Sequence, residues 1–144
     1  EKQEREPQYS QKAASHDGND YGSTYVEINL TAQHLYFYKG GSLVVQSDFV
    51  SGNESKGWST PAGAYPLTYK QRNATLKGEN YSTPVSYWMP FNGGIGLHDA
   101  YWRSSFGGTI YKTNGSHGCI NLPPAVAKTI YENISAGTAV LCYH

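Results

Sequence analysis

The sequence has no surplus of either charge and no long apolar run. Its 11 Lys and Arg residues balance 11 Asp and Glu residues, so it lacks the basic excess that favours nucleic acid binding and the acidic excess that favours disorder. The mean hydropathy is −0.57, and apolar runs of about five residues are too short for a transmembrane helix. A length of 144 residues therefore indicates one globular domain.

The chain also lacks an initiator methionine and a signal peptide. It begins at Glu1, so we interpret it as a fragment or a mature form whose compartment cannot be read from its N-terminus. Residues 1–24 hold almost no apolar residue and show no period. We expect a polar linker or tail there, His16 included, followed by one domain over 25–144.

Cysteine is scarce, and several catalytic motifs are missing. Cys119 and Cys142 are the only two cysteines, which is too few for a disulfide framework but leaves a single Cys119–Cys142 bridge open. The sequence contains no S-x-x-K, G-x-S-x-G or H-E-x-x-H motif. These absences argue against the corresponding serine and zinc enzymes.

Alternating apolar and polar residues predict β-strands in the first part of the chain. YVEINL (25–30) alternates as a half-buried strand does. LYFY (35–38) and LVVQSDFV (43–50) predict a hairpin, whose turn at Gly40-Gly41 can adopt positive φ.

Three further strands and one long loop are predicted between residues 64 and 98. AYPLTY (64–69) predicts a strand that its proline places at an edge or a bulge. Residues 70–84 show little period and are expected to form a loop. VSYWMPF (85–91) and IGLH (95–98) predict strands, the second ending on His98.

The C-terminal part predicts one helix and one last strand. Pro123-Pro124 suits a first helical turn, apolar residues then recur at helical spacing, and Gly137 is expected to cap the helix end. TAVLCY (138–143) predicts a strand. The sum is a mainly β fold with one clear helix, a sandwich or a partly closed barrel.

The segment NGSHGCIN (114–121) contains the most reactive residue type of the chain. A nucleophilic cysteine needs a base or a positive field, because few thiols are ionised near neutral pH. His117 and His98 are both candidate bases for Cys119. Three interpretations stay open from these residues alone: a nucleophile, a zinc ligand together with both histidines, or a small core residue.

The glycine of this segment has a chemical use in the first interpretation. Gly118 permits a turn that presents its own amide and that of Cys119 outward, where two N–H groups can hold an oxyanion. Asn121 can orient a substrate or cap the following helix.

The spacing of His98 and the cysteine motif resembles a known signature. His98, 17 residues (99–115) and Ser116-His117-Gly118-Cys119-Ile120-Asn121 are similar to the signature of YkuD-family L,D-transpeptidases, a histidine, a spacer and [S/T]-H-G-C-hydrophobic-N. TPAGAY (60–65) is similar to the family's TPxGxY segment, and 87–108 resembles the segment before the motif in Gram-positive members. The resemblance extends over roughly residues 24–143.

The resemblance implies a fold and a catalytic set. The fold is a mainly β YkuD-like sandwich with one main helix after the motif and a lid hairpin over a cleft. Cys119 is the implied nucleophile and His98 the implied base, its ring oriented by the backbone carbonyl of Asp99. His117, Gly118 and Cys119 are expected to supply oxyanion amides or to line the site.

The resemblance also implies residues that bind substrate or support the site. These are Ser116, Asn121, Gly93, Gly94, Tyr81, Trp88 and Arg103, and Tyr101 and Trp102 are expected beside them.

The implied substrate is peptidoglycan. Cys119 would attack the carbonyl of the third residue of a donor tetrapeptide stem, release D-Ala, and pass the acyl group to the side-chain amine of an acceptor stem. The product is a 3→3 crosslink, no metal or organic cofactor is needed, and carbapenems are expected to acylate Cys119. The implied location is the bacterial cell wall, outside the cytoplasmic membrane, with an upstream domain or membrane anchor.

Two alternatives remain at this point. The same site could hydrolyse the same bond as an L,D-carboxypeptidase, because the nucleophile and oxyanion amides serve both reactions. A non-catalytic wall-binding module with a Cys119–Cys142 disulfide is the other alternative.

Overall fold

Two β-sheets and two helices form in the computed structural model, which describes residues 22–144. Of the tail predicted over 1–24, residues 1–21 lie outside the described residues. The mainly β architecture with one main helix is confirmed. Neither helix in the described range is long and apolar enough to cross a membrane.

The first sheet has five strands in the order β3-β2-β1-β9-β4. Its strands are β1 (Tyr25–Asn29), β2 (His34–Lys39), β3 (Ser42–Asp48), β4 (Gly63–Pro66) and β9 (Ala139–Tyr143). The predicted β2–β3 hairpin is confirmed, and Gly40 and Gly41 at its turn have φ values of 59° and 84°. Strand β4 lies at the sheet edge, where Pro66 does not interrupt a central ladder.

The second sheet has four strands in the order β5-β6-β7-β8. Its strands are β5 (Gln71–Gly78), β6 (Tyr81–Asn92), β7 (Ile95–Asp99) and β8 (Ile120–Leu122). Strands β7 and β8 run parallel, and His98 is paired with Asn121 in their register. This pairing brings a histidine and the cysteine motif, distant in sequence, to one end of the sheet.

The loop predicted over 70–84 is wrong. Residues 71–78 form β5, which pairs with the first half of β6 as an antiparallel hairpin, from Gln71 opposite Trp88 to Gly78 opposite Tyr81. We call this element the β5–β6 hairpin. Ala74 is the only buried residue of β5, so the strand carries no alternation of apolar and polar residues that a sequence pattern could reveal.

The helices also differ in part from prediction. Helix α2 (Pro124–Asn133) follows the motif as expected and buries Ala127 and Ile130. The predicted helix end at Gly137 is wrong, because the helix ends at Asn133 and Ile134 follows in extended conformation. Gly137 lies in the connection to β9, where its amide donates to the Leu67 carbonyl. A short helix α1 (Ile110–Asn114) was not predicted, since it buries no residue.

The core lies between the two sheets and α2. Val26, Ile28 and Phe37 project from the five-stranded sheet, and Met89 and Leu97 from the four-stranded sheet, all with no exposed area. Burial of such side chains contributes about 1.5–3 kcal/mol each. The core therefore fixes the second sheet, on which the motif and His98 stand.

One buried carboxyl group lies outside this core. Glu27 is on β1, between Tyr36 of β2 and Leu141 of β9, and projects to the face opposite Val26 and Ile28. It has no exposed area, and neither carboxyl oxygen has a hydrogen-bond partner within residues 22–144. Burial raises the pKa of Glu27 to about 7, because removal from water disfavours the charged form.

The raised pKa predicts that stability falls as pH rises from about 4.5 to about 7, because Glu27 ionises in the unfolded chain before it ionises in the native one. Above this window the loss reaches about 3 kcal/mol, which corresponds to the difference between pKa values of 4.5 and about 7. Urea unfolding of wild type and Glu27→Gln between pH 4 and 8 measures it. Glu132→Gln, at an exposed position, is the control; equal pH dependence of Glu27→Gln and wild type contradicts the assignment.

Candidate active site

A cavity of about 350 Å³ lies between the β5–β6 hairpin and the cysteine motif. Cys119 and His98 both line it, as do Leu76, Tyr81 and Thr83 of the hairpin. Predicted site residues that also line the cavity are Ser116, His117, Asn121, Gly94, Trp88 and Arg103. The fold therefore brings predicted site residues from four separate segments of the chain to one cavity.

The Cys119 thiol is a neutral group at rest. Burial raises the pKa of Cys119 to about 11, opposed in part by a hydrogen bond with the backbone of Gly96. Its Sγ donates to the Gly94 carbonyl at 3.4 Å. Since a thiolate is needed for attack, this cysteine depends on a base in the same cavity.

His98 is held in one tautomer. Its Nδ1 lies 2.8 Å from the carbonyl oxygen of Asp99, and a carbonyl can only accept, so Nδ1 carries the proton and Nε2 the lone pair. The Asp99 carboxylate is engaged elsewhere, accepting from the amides of Ser86 and Tyr87. Burial lowers the pKa of His98, so the ring is a neutral base near pH 7.

Asn121 and Arg103 extend the contacts of His98. Asn121 Nδ2 is 3.1 Å from His98 Nε2, and Asn121 Oδ1 accepts from Arg103 Nε at 2.8 Å. Arg103 Nη1 also donates to the Asn114 carbonyl at 2.9 Å. Both residues were predicted to bind substrate, yet these polar atoms contact the protein itself. Within residues 22–144 no hydrogen bond joins the Cys119 thiol to His98 directly.

The turn before Cys119 is held by hydroxyl groups. Ser116 Oγ accepts from the Gly118 amide at 3.0 Å and donates to the Cys119 carbonyl at 2.6 Å. Thr60 Oγ1 accepts from the Gly52 amide at 3.0 Å and donates to the Gly118 carbonyl at 2.6 Å. Gly118 has φ of 136°, which side chains rarely adopt.

These bonds correct two predictions. The Gly118 amide is not free for an oxyanion, because it donates to Ser116, and the Ser116 hydroxyl shapes the turn instead of pointing to a substrate. Among the backbone hydrogen bonds outside the helices and strands of residues 22–144, none starts from the amide of His117 or Cys119, so these two amides stay candidates for binding an oxyanion. Thr60 was missed as a site residue, although TPAGAY contains it.

The imidazole of His117 lies between two aromatic rings. Its centroid is 4.4 Å from that of Trp58 and 4.2 Å from that of Tyr81, which stands at the turn of the β5–β6 hairpin. His117 therefore joins the hairpin to the motif. Across residues 22–144 no group of three His, Cys, Asp or Glu side chains is arranged to hold a metal ion.

The remaining predicted residues have mixed positions. Trp88 lines the cavity and donates from Nε1 to the Tyr69 hydroxyl at 3.2 Å. Trp102 lines the cavity, whereas Tyr101 is 62% exposed and does not. Gly93 lies in the turn between β6 and β7 and does not line it either.

The second cysteine lies in the core. Cys142 on β9 is buried among apolar side chains, and burial raises its pKa to about 12. Both cysteines are free thiols. The alternative with a Cys119–Cys142 disulfide is therefore wrong for this fold.

Known proteins match most of the chain. The profile of the YkuD family, L,D-transpeptidase catalytic domain, matches residues 23–142. The putative L,D-transpeptidase YciB of Bacillus subtilis (strain 168) is 27% identical over 125 residues, which is 81% of this chain and 64% of YciB.

Two solved structures from Enterococcus faecium are similar. A mutant of the L,D-transpeptidase has a TM-score of 0.81 and 43% identity over 85% of this chain and 50% of that one. The L,D-transpeptidase catalytic domain acylated by ertapenem has a TM-score of 0.75 and 43% identity over 84% and 97%. This chain thus spans about half of the first structure and about two thirds of YciB.

We expect the Thr60 hydroxyl to contribute measurably to the free energy of unfolding. Thr60→Val leaves the Gly118 carbonyl and the Gly52 amide unpaired at a buried position and should cost about 1–3 kcal/mol. Thr60→Ser keeps the hydroxyl and should retain most of this free energy. Denaturant unfolding of the three proteins decides it; a Thr60→Val protein as stable as wild type would contradict the contribution of the hydroxyl.

Proposed function

Because the chain belongs to the YkuD family of L,D-transpeptidase catalytic domains, we propose that it crosslinks peptidoglycan stem peptides with Cys119 as nucleophile. The observation that carries the proposal is the shared cavity of Cys119 and a His98 whose tautomer leaves Nε2 as the acceptor. A tetrapeptide stem is the acyl donor, and the side-chain amine of a second stem is the acceptor.

The first half of the reaction forms a thioester. The Cys119 proton passes to His98 Nε2 while Sγ attacks the carbonyl carbon of the third stem residue. The carbonyl oxygen becomes an oxyanion, and we assign the amides of His117 and Cys119 as its hydrogen-bond donors. The bond to D-Ala then breaks, and the departing amine takes the proton from His98.

The second half transfers the acyl group. A neutral acceptor amine attacks the thioester, His98 takes its proton, and the thiol leaves as the 3→3 crosslink forms. Since the free thiol has a pKa of about 11, its departure requires the proton that His98 holds. The same residue therefore serves as base and acid in each half.

The location of the protein follows from its proposed substrate. Peptidoglycan lies outside the cytoplasmic membrane, so we propose that the domain acts at the bacterial cell wall. In the proposed reaction the thiol, the imidazole and the backbone amides carry out every step, so no metal or organic cofactor is required of it.

Carbapenem acylation tests the nucleophile. One E. faecium relative is described as acylated by ertapenem, and ertapenem should add to Cys119 here with a one-to-one mass increase. Cys119→Ala should lose the adduct completely, whereas Cys142→Ala, which removes the core thiol, should keep it. Intact-mass spectrometry measures both variants; an adduct on Cys119→Ala would contradict the assignment.

The products formed from a disaccharide-tetrapeptide test the reaction. We expect crosslinked dimer and free D-Ala, because in the proposed reaction the amine of a second stem attacks the thioester. Chromatography with mass detection separates dimer from tripeptide monomer. Tripeptide alone would replace the transferase with the L,D-carboxypeptidase reaction of the same site.

A further inference from the structure

A continuous line of hydrogen bonds runs through the candidate base. Arg103 Nε donates to Asn121 Oδ1 at 2.8 Å, Asn121 Nδ2 is 3.1 Å from His98 Nε2, and His98 Nδ1 is 2.8 Å from the Asp99 carbonyl oxygen. Both Asn121 and His98 are buried, at 2% and 4% exposure. These contacts place Arg103 two bonds away from the proton-accepting atom.

The direction of every bond in this line is determined. At one end a guanidinium can only donate, so Asn121 must turn Oδ1 toward Arg103 and Nδ2 toward His98. At the other end a backbone carbonyl can only accept, so His98 must carry its proton on Nδ1. The amide and the imidazole, each ambiguous alone, are thus oriented by groups that have a single role.

We propose that Arg103 is a positioning residue that, through Asn121, holds His98 as a neutral imidazole with Nε2 capped until the thiol proton arrives. This inference rests on the proposed function in taking His98 as the base for Cys119. It replaces the expectation that Arg103 binds substrate.

The capped base has a consequence for proton transfer. When Nε2 takes the Cys119 proton it becomes a donor and faces the donor Nδ2 of Asn121. Rotation of the amide would relieve this clash but would bring Nδ2 against the Arg103 Nε–H. Because Arg103 opposes that rotation, the imidazolium gains no new acceptor from Asn121. The proton is therefore passed on to the leaving amine, which restores the resting line of bonds.

Arg103 and Asn121 are both anchored by bonds to the backbone. Arg103 Nη1 donates to the carbonyl of Asn114, the last residue of α1. The Asn121 backbone exchanges hydrogen bonds of 2.8 and 3.0 Å with Val50. Arg103 can therefore orient the amide without a contribution from a bound substrate.

The other charged groups around His98 are few. Asp99 adjoins it on β7, and its carboxylate is held by the Ser86 and Tyr87 amides. Cys119 and His117 of the motif and Lys77 and Tyr81 of the β5–β6 hairpin line the same cavity. The rings of Trp88 and Trp102, each with its centroid 6.0 Å from the imidazole, cover it without charge. Burial lowers the pKa of His98 most, the hydrogen bond to the Asp99 backbone and the Asp99 charge raise it, and the Arg103 charge lowers it.

The pKa of His98, measured by titration, tests the inference, because a purely structural role of Arg103 would leave this pKa unchanged. Histidine-labelled protein is titrated by NMR, with His98→Gln used to assign the resonance. Arg103→Met should raise the pKa of His98, since it removes the cation and frees Asn121 to rotate. Asn121→Asp should raise it further, because a carboxylate accepts from both Arg103 and a protonated Nε2. Arg72→Met, which removes a guanidinium stacked on Tyr87 at 4.6 Å, should leave it unchanged.

The rate of ertapenem acylation provides the kinetic counterpart. For Arg103→Met we expect a fall of about tenfold at pH 6 that is largely recovered at pH 8.5, because a protonated base is inactive. Arg103→Lys keeps the charge without the planar fork, so its loss should be intermediate. If Arg103→Met fails to give a folded amide spectrum, Asn121→Asp and Arg103→Lys decide in its place.

Three results would overturn or separate the claims. An unchanged His98 titration in the folded variants would overturn the inference. So would a raised KM for the tetrapeptide with unchanged kcat and pH profile, since that assigns Arg103 to substrate binding. If instead the titration moves as expected while His98→Ala acylates at the wild-type rate, the line of bonds stands and the proposed role of His98 as base is wrong.

Discussion

The parallel pairing of β7 with β8 is the constraint on which the site depends. Its register sets His98 beside Asn121 and Leu97 beside Ile120, so the cysteine motif enters the sheet next to the histidine. A shift of one residue would turn His98 to the opposite face of the sheet. The buried, fully apolar Leu97 and Ile120 hold this register because their exposure to water would cost several kcal/mol.

The family, the strands with alternating residues and the proximity of Cys119 and His98 could be predicted from sequence; the family is confirmed, and the two side chains line one cavity. His98 and the motif were sufficient to predict the family, because the signature fixes several residue types together with the spacing between them. The β5–β6 hairpin escaped the pattern analysis since only Ala74 is buried in β5, although the resemblance implied a lid hairpin. Exposed strands depend on their partner strand, which no local pattern contains.

The roles of the small polar residues could not be predicted either. Ser116, Asn121 and Arg103 have side chains that suit substrate binding, but each forms hydrogen bonds with the backbone or with a neighbouring side chain. Which partner such a group finds depends on distances across the fold. The result is a cavity in which burial raises the pKa of the Cys119 thiol and lowers that of the His98 imidazole, so that both groups are neutral near pH 7.

Besides the local bonds of Ser116, several bonds that shape the motif reach far along the chain. Gly118 contacts Thr60, 58 positions away, while Ser116 exchanges backbone bonds with Ser51 and Asn53, and Asn121 with Val50. Closing loops of this length is an unfavourable step that precedes the contacts. A collapsed chain in which these segments have not met holds Cys119 without its turn and without aligned amides. The buried position of the Cys119 thiol, which raises its pKa to about 11, is thus reached only after these distant segments have met.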